Sequence, residues 1–253
     1  MRSKVLVFLL LFAGLAPSAA TAAPKLLIAV ASNFLIPVRA IAQEFEKDTG
    51  TKVRISSGST GKLYAQIIHG ARYDIFLAAN SREPQRLEKA GLIVDGSRFT
   101  YARGKLVLWS LDPKLLATNP EQVVRKGSFK SIVFANPATA PYGEAGVEVL
   151  AKLKSNTGKT QVLTAENVTQ SFQYIASSNA QLGFIAYSQL LASGKDKTGS
   201  HWLVAQKYYK PIEQLGVWLK SAAVTAAAGK FLEFLRSKRG QELVQQYGYG
   251  PGK

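Results

Sequence analysis

The chain has 253 residues, a formal net charge of +16 and no cysteine. The missing thiols exclude disulfides, thiolate metal sites, cysteine nucleophiles and a lipid carried on an N-terminal cysteine. The charge admits nucleic acid, an anionic surface or an anionic ligand. The basic residues are scattered, however, with no run longer than a pair such as Lys238-Arg239, and no nucleic-acid module is present, so nucleic acid is set aside.

Arg2 and Lys4 precede the apolar run Val5 to Leu11, and Ala20-Thr21-Ala22 matches an A-x-A cleavage site. That core is far shorter than the roughly 20 residues that span a bilayer. Residues 1–22 are therefore expected to be a secretory signal peptide. The remainder, of about 231 residues, suffices for one large domain or two lobes. Its charge is +14 once Arg2 and Lys4 are set aside. Export without disulfides points to a bacterial periplasm.

Strand-like apolar runs then alternate with helical patterns, which predicts an α/β architecture with largely parallel sheets. Residues 26–31 read as a buried strand, followed by a helix from Asn33 to Thr49 that Gly50 closes. A strand over 52–56, a helix over 61–69 ending at Gly70, a strand over 73–78 and a helix over 82–90 follow, then a strand over 105–109. The second series is a strand at 131–135, a helix at 144–153, a strand at 160–164, a helix at 167–178 and a strand at 182–187. A strand over 212–220 and a helical pair, 221–237 and 239–247, end the chain.

The chemistry gathers where strands stop and helices start. Ser32 and Asn33 put a hydroxyl, an amide and unpaired backbone N–H groups at one helix start, a ready seat for an anion. Both also suit simple capping. The turn Ser57 to Gly61 is a second such junction, where two glycines allow consecutive N–H groups to converge. It lacks the Walker frame, so Lys62 is not a phosphate-loop lysine. Tyr142, in the Pro141-Tyr142-Gly143 connection, offers an N–H and a phenol, or packs over its loop; Val168 offers an N–H at a third junction.

Enzyme signatures are weak. His69 and His201 are the only histidines, and no HExxH, no G-x-S-x-G and no spaced carboxylate pair stands out. Asp74 and Glu144 fall near the expected cleft, though Asp74 equally suits a structural place at a strand start. Neither an enzyme nor a bound metal cation or cofactor is expected.

The segments AVASNF, ISSGSTGKLYAQI, YDIFLAAN, GKLVLWS, NPATAPYGEAG, AENVTQSF, LGFIAYSQ and VQQYGY occur in this order over nearly all of the mature chain. Together they resemble the periplasmic molybdate-binding proteins of ABC transporters, in the branch whose first motif is ASNF or ATNF. The resemblance implies a two-lobed (type II) periplasmic binding fold, each lobe a mixed, mostly parallel sheet flanked by helices. It implies capture of molybdate, with tungstate, and delivery to an inner-membrane permease by a monomer.

Carried over motif by motif, the oxyanion site is Ser32, Asn33, Thr60 (where the family usually has serine), Tyr142 and Val168. Other branches use a tyrosine near the LGF motif; here Ala186 stands there and Tyr187 lies one residue along, so the role goes to Tyr142. Residues 23–103 and 214–253 are expected to form one lobe and 104–213 the other. The alternatives are a receptor for another tetrahedral oxyanion such as sulfate, and an exported phosphatase- or sulfatase-like enzyme.

Overall fold

The computed structural model describes residues 25–220 and 225–252. The expected signal peptide and residues 221–224, where the helix expected over 221–237 would begin, lie outside them.

The first lobe opens with β1 (Lys25–Ala31), nearly all of it buried, then a single 3-10 turn over Ser32–Phe34 and α1 (Leu35–Thr49). Gly50 ends α1 in the left-handed conformation, with φ of 70°, which glycine adopts without steric cost. Next come β2 (Lys52–Gly58), α2 (Thr60–Ile68), β3 (Ile75–Leu77), α3 (Arg82–Lys89) and β4 (Phe99–Gly104). β1 pairs in parallel with β2 on one side and β3 on the other.

The second lobe is built from β5 (Leu106–Ser110), α4 (Pro120–Lys126), β6 (Ser131–Ala135), α5 (Pro141–Leu153), β7 (Gln161–Ala165), α6 (Val168–Ala176), β8 (Leu182–Ala186), α7 (Tyr187–Ala192) and β9 (Ser200–Leu203). The chain then returns through β10 (Ile212–Trp218), α8 (Thr225–Arg236), α9 (Lys238–Gln246) and the short β11 (Gly250–Pro251).

These strands form two sheets, in the orders β11-β4-β10-β3-β1-β2 and β7-β6-β8-β5-β9, one per lobe. Each is mixed. Neither is the mostly parallel sheet that the strand–helix alternation predicted: the parallel pairs surround only β1 and β6, and the strands on either side of the crossings, with β11, pair antiparallel because the chain enters and leaves each sheet there. Lys105 alone separates β4 from β5, which lie in different sheets. The return runs from β9 to β10.

Several elements were not legible in the sequence: β4, α4, α7, β9 and β11. β4 reads FTYARG, too polar for a buried run, and its pairing with β10 is non-local. The α7 helix begins on the residue after β8 ends, so the two periodicities merge. His201, expected in a turn, lies within β9.

The core of the first lobe packs α1 and α8 on the sheet. Phe45 meets Phe231 edge-on at 5.2 Å between ring centroids, and both are fully buried. In the second lobe Trp109 stacks on Phe172 at 5.2 Å. Burying aromatic side chains of this size on strands and helices whose ends converge fixes those ends against one another.

Candidate oxyanion site

Four strand-to-helix turns meet between the sheets. The turn after β1 brings Ser32 and Asn33, that after β2 brings Ser59 and Thr60, and the starts of α5 and α6 bring Tyr142 and Val168. All six residues line one small cavity. The sequence-predicted residues Ser32, Asn33, Thr60, Tyr142 and Val168 are thus together, each buried.

Local capping leaves backbone donors free. Asn167 caps α6 through its side chain, accepting from the N–H groups of Thr169 and Gln170 at 3.0 and 3.1 Å, which leaves Val168 N–H out of the cap. Pro141 stands at the first turn of α5, and Gly143 and Glu144 donate to the Ala140 carbonyl. Among the described residues, the N–H groups of Asn33, Thr60, Tyr142 and Val168 have no backbone acceptor, as expected of first-turn positions. None of the residues lining the cavity carries a formal charge.

The side chains divide the work. Ser32 and Asn33 were expected to choose between capping and the ligand; neither side chain caps the turn or α1. The Asn33 amide instead donates both hydrogens rearward, to Gln214 Oε1 at 2.9 Å and the Tyr249 hydroxyl at 3.0 Å. Asn33 therefore presents its backbone N–H to the cavity. Thr60 Oγ1 accepts from Ala79 N–H at 3.0 Å, so its own proton is left to donate. The Tyr142 phenol turns away from the ligand face and accepts from Gln214 Nε2 at 3.2 Å, close against Gly104 at the crossing.

Ser59 was not singled out from the sequence. Its hydroxyl is buried at the cavity and finds no partner among the described residues. The signal was present: a serine immediately before a helix normally caps it, and this one does not.

Behind the site lies a buried neutral network. Gln214, on β10, accepts from Asn33 and Tyr101 and donates to Tyr142. The Tyr249 hydroxyl donates to the Asn33 carbonyl at 2.8 Å and lies 2.8 Å from Ser188 Oγ. Burial pushes the Tyr101 and Tyr142 phenols well above their ordinary values, and that of Tyr249 to about 12, so all three are neutral donors and acceptors at neutral pH.

The lobes touch across the cleft. Gly61 N–H donates to the Thr139 carbonyl at 2.9 Å, and Lys62 pairs with Glu166 at 2.9 Å. Glu144 lies on the rim, 3.8 Å from Arg82. Asp74 is structural: its carboxylate accepts from Leu27 N–H at 2.6 Å at the start of the sheet. His69 closes α2, and Tyr187 lies outside the cavity, against Gly248. Among the described residues no cluster of carboxylates and histidines is arranged to hold a metal cation.

Two lobes joined by crossing strands, closed on a small cavity of donors, define a solute-binding protein. The chain belongs to the family of bacterial extracellular solute-binding proteins, whose family model matches residues 26–250, and within it to the ModA proteins. It is 45% identical over 239 residues to the molybdate-binding protein ModA of Azotobacter vinelandii, covering 94% of each chain. It is 40% identical to the ModA protein of Rhodobacter capsulatus, covering 90% of this chain and 89% of that one. The solved periplasmic molybdate-binding protein of Azotobacter vinelandii superposes with a TM-score of 0.85 at 39% identity, over 89% of this chain and 98% of that one.

Proposed function

We propose that this protein captures molybdate, and tungstate with it, in the cavity between its lobes and delivers it to the permease of an ABC importer. The observation that carries the reading is the convergence of free backbone N–H groups and hydroxyls from both lobes on a cavity without formal charge. The names of its 45% and 40% identical relatives agree with it.

A buried dianion without a counter-charge needs many directed donors, since an unpaired buried charge is prohibitively costly. The N–H groups of Asn33, Thr60, Tyr142 and Val168 with the hydroxyls of Ser32 and Thr60 make six. At about 1.5–3 kcal/mol each for bonds to a charged group, such a set spans the roughly 12 kcal/mol of nanomolar binding. Helix starts add favourable dipoles. Such a site also disfavours phosphate that keeps a proton, because its backbone N–H groups can only donate and that O–H must turn to one of the few hydroxyl oxygens. Sulfate passes this test, so size must exclude it: the wall of the cavity is set by packed backbone turns, which yield little.

The lobes are taken as 23–103 with 214–253, and 104–213, a division supported by the placement of β4 and β10 in one sheet and β5 and β9 in the other. Their closure on the ligand follows from its higher affinity for the closed state. The protein acts as a monomer in the periplasm after loss of residues 1–22, and it binds without catalysing a reaction. Thermal shift with equal concentrations of molybdate, tungstate, sulfate and phosphate tests the reading. Large, similar shifts with the first two and none with the others are expected; a sulfate shift matching that of molybdate would overturn it.

A further inference from the structure

The peptide unit joining Ser32 to Asn33 has two ends with different neighbours. Its N–H is one of the free donors at the cavity. Its C=O, which points the opposite way in a trans peptide, accepts a hydrogen bond from Thr169 Oγ1 at 3.2 Å. Thr169 belongs to α6, in the other lobe, one residue after Val168. Thr169 Oγ1 in turn accepts from Gln189 Nε2 at 2.8 Å, and Gln189 Oε1 accepts from Ala186 N–H at 3.3 Å. Three bonds thus run head to tail from the end of β8 to the first helix turn of the opposite lobe.

The direction of this chain matters. Thr169 has one proton, and Gln189 occupies its acceptor side, so that proton goes to the Ser32 carbonyl. A donor on the C=O of a peptide unit draws electron density from its N–H, and bonds in series strengthen one another by roughly 10–30% each. The Asn33 carbonyl on the following unit is bonded from Tyr249 of its own lobe and from Ser188 of the opposite one, which hold the same turn. Leu35 N–H bonds the Ser32 carbonyl within the turn itself, and Thr169 adds a second donor, so Asn33 N–H is both aimed and further polarised by a group that arrives from the lobe that closes.

We propose that Thr169, oriented by Gln189, is a positioning residue for the oxyanion: on closure it bonds the Ser32 carbonyl, strengthens Asn33 N–H as a ligand donor, and so ties ligand retention to lobe contact. This rests on the cavity being the oxyanion site. Because the bond joins separate lobes, it contributes to the closed liganded form and not to the folding of either lobe.

The test is T169V, which keeps the shape and removes the hydroxyl, with T169A as a second deletion and T169S as the conservative variant. Stopped-flow and calorimetric titration with molybdate should show about tenfold weaker binding for T169V and T169A, equivalent to about 1.4 kcal/mol. The loss should fall on the dissociation rate, with ligand-free melting unchanged, and T169S should restore wild-type affinity. In the molybdate-bound protein the Asn33 amide proton resonance should move upfield in T169V, a shift that mere loss of contact elsewhere would not produce. Wild-type affinity in T169V or T169A, or failure of T169S to rescue, would overturn the proposal. Absence of molybdate binding by the wild-type protein would instead overturn the reading of the cavity.

Discussion

Thr60 carries two bonds through one oxygen: it accepts from Ala79 N–H and has a proton left for the ligand. A serine would do both, but the methyl of threonine restricts χ1, so the hydroxyl has fewer orientations to lose when ligand arrives. T60A should weaken molybdate binding by about 1.5–3 kcal/mol, read by titration calorimetry, and T60S by much less. Unchanged affinity in T60A would remove the hydroxyl from the site. The same residue shows how far a motif could be read. That Thr60 belongs to an anion seat was legible in its Ser/Gly turn. That Ala79 N–H occupies its acceptor side was not, because the two residues meet only through the pairing of β2 and β3 with β1 between them. Likewise Asn33 suited a cap by type, and only Gln214 and Tyr249, remote in sequence, show where its amide goes.

At the scale of elements, the site is a meeting of helix starts, and glycines set how closely the starts approach. A Cβ on Gly61 would come within 3.1–3.2 Å of Thr139 on the opposite lobe, across the bond that Gly61 N–H makes there. G61A should therefore hinder closure while leaving each lobe intact. The expected outcome is molybdate affinity lowered several-fold with an unchanged ligand-free melting temperature, and a larger radius of gyration with ligand than wild type shows by small-angle scattering. Equal compaction would show that the contact tolerates the methyl. The long strand–helix alternation was legible because its periods are local and repeated. β4 was not: only 105–109 reads as a strand there, since FTYARG becomes a strand of the first sheet through its pairing with the distant β10.

At the scale of the whole molecule, charge and recognition separate. The positive balance is spread over exposed helix faces, while the cavity and the network behind it are neutral. That neutrality has a cost at high pH. The Tyr249 phenol sits at about 12 in the folded protein against an ordinary 10.0. Unfolding releases it to ionise, so the stability it contributes is complete below pH 10 and is lost as pH rises towards 12. Denaturant midpoints should stay level from neutral pH to pH 9 as far as this group is concerned, then fall between pH 10 and 12. Y249F should flatten that fall, and an unaltered slope in Y249F would assign the alkaline transition to other groups.

The sequence by itself determined the α/β class, the order of most strands and helices, and the helix starts at which an anion could sit, among which the family resemblance selected five residues. These rest on local periodicity and on the chemistry of unpaired N–H groups, which need no distant partner to be recognised. Only the tertiary structure decided which donors remain free and which are spent. It turned the Asn33 amide and the Tyr142 phenol rearward, left Ser59 without a partner, and set Thr169 of one lobe on a carbonyl of the other. The physical reason is that a donor's availability depends on every acceptor within 3 Å or so, and those acceptors come from segments that only the packing of two lobes brings together.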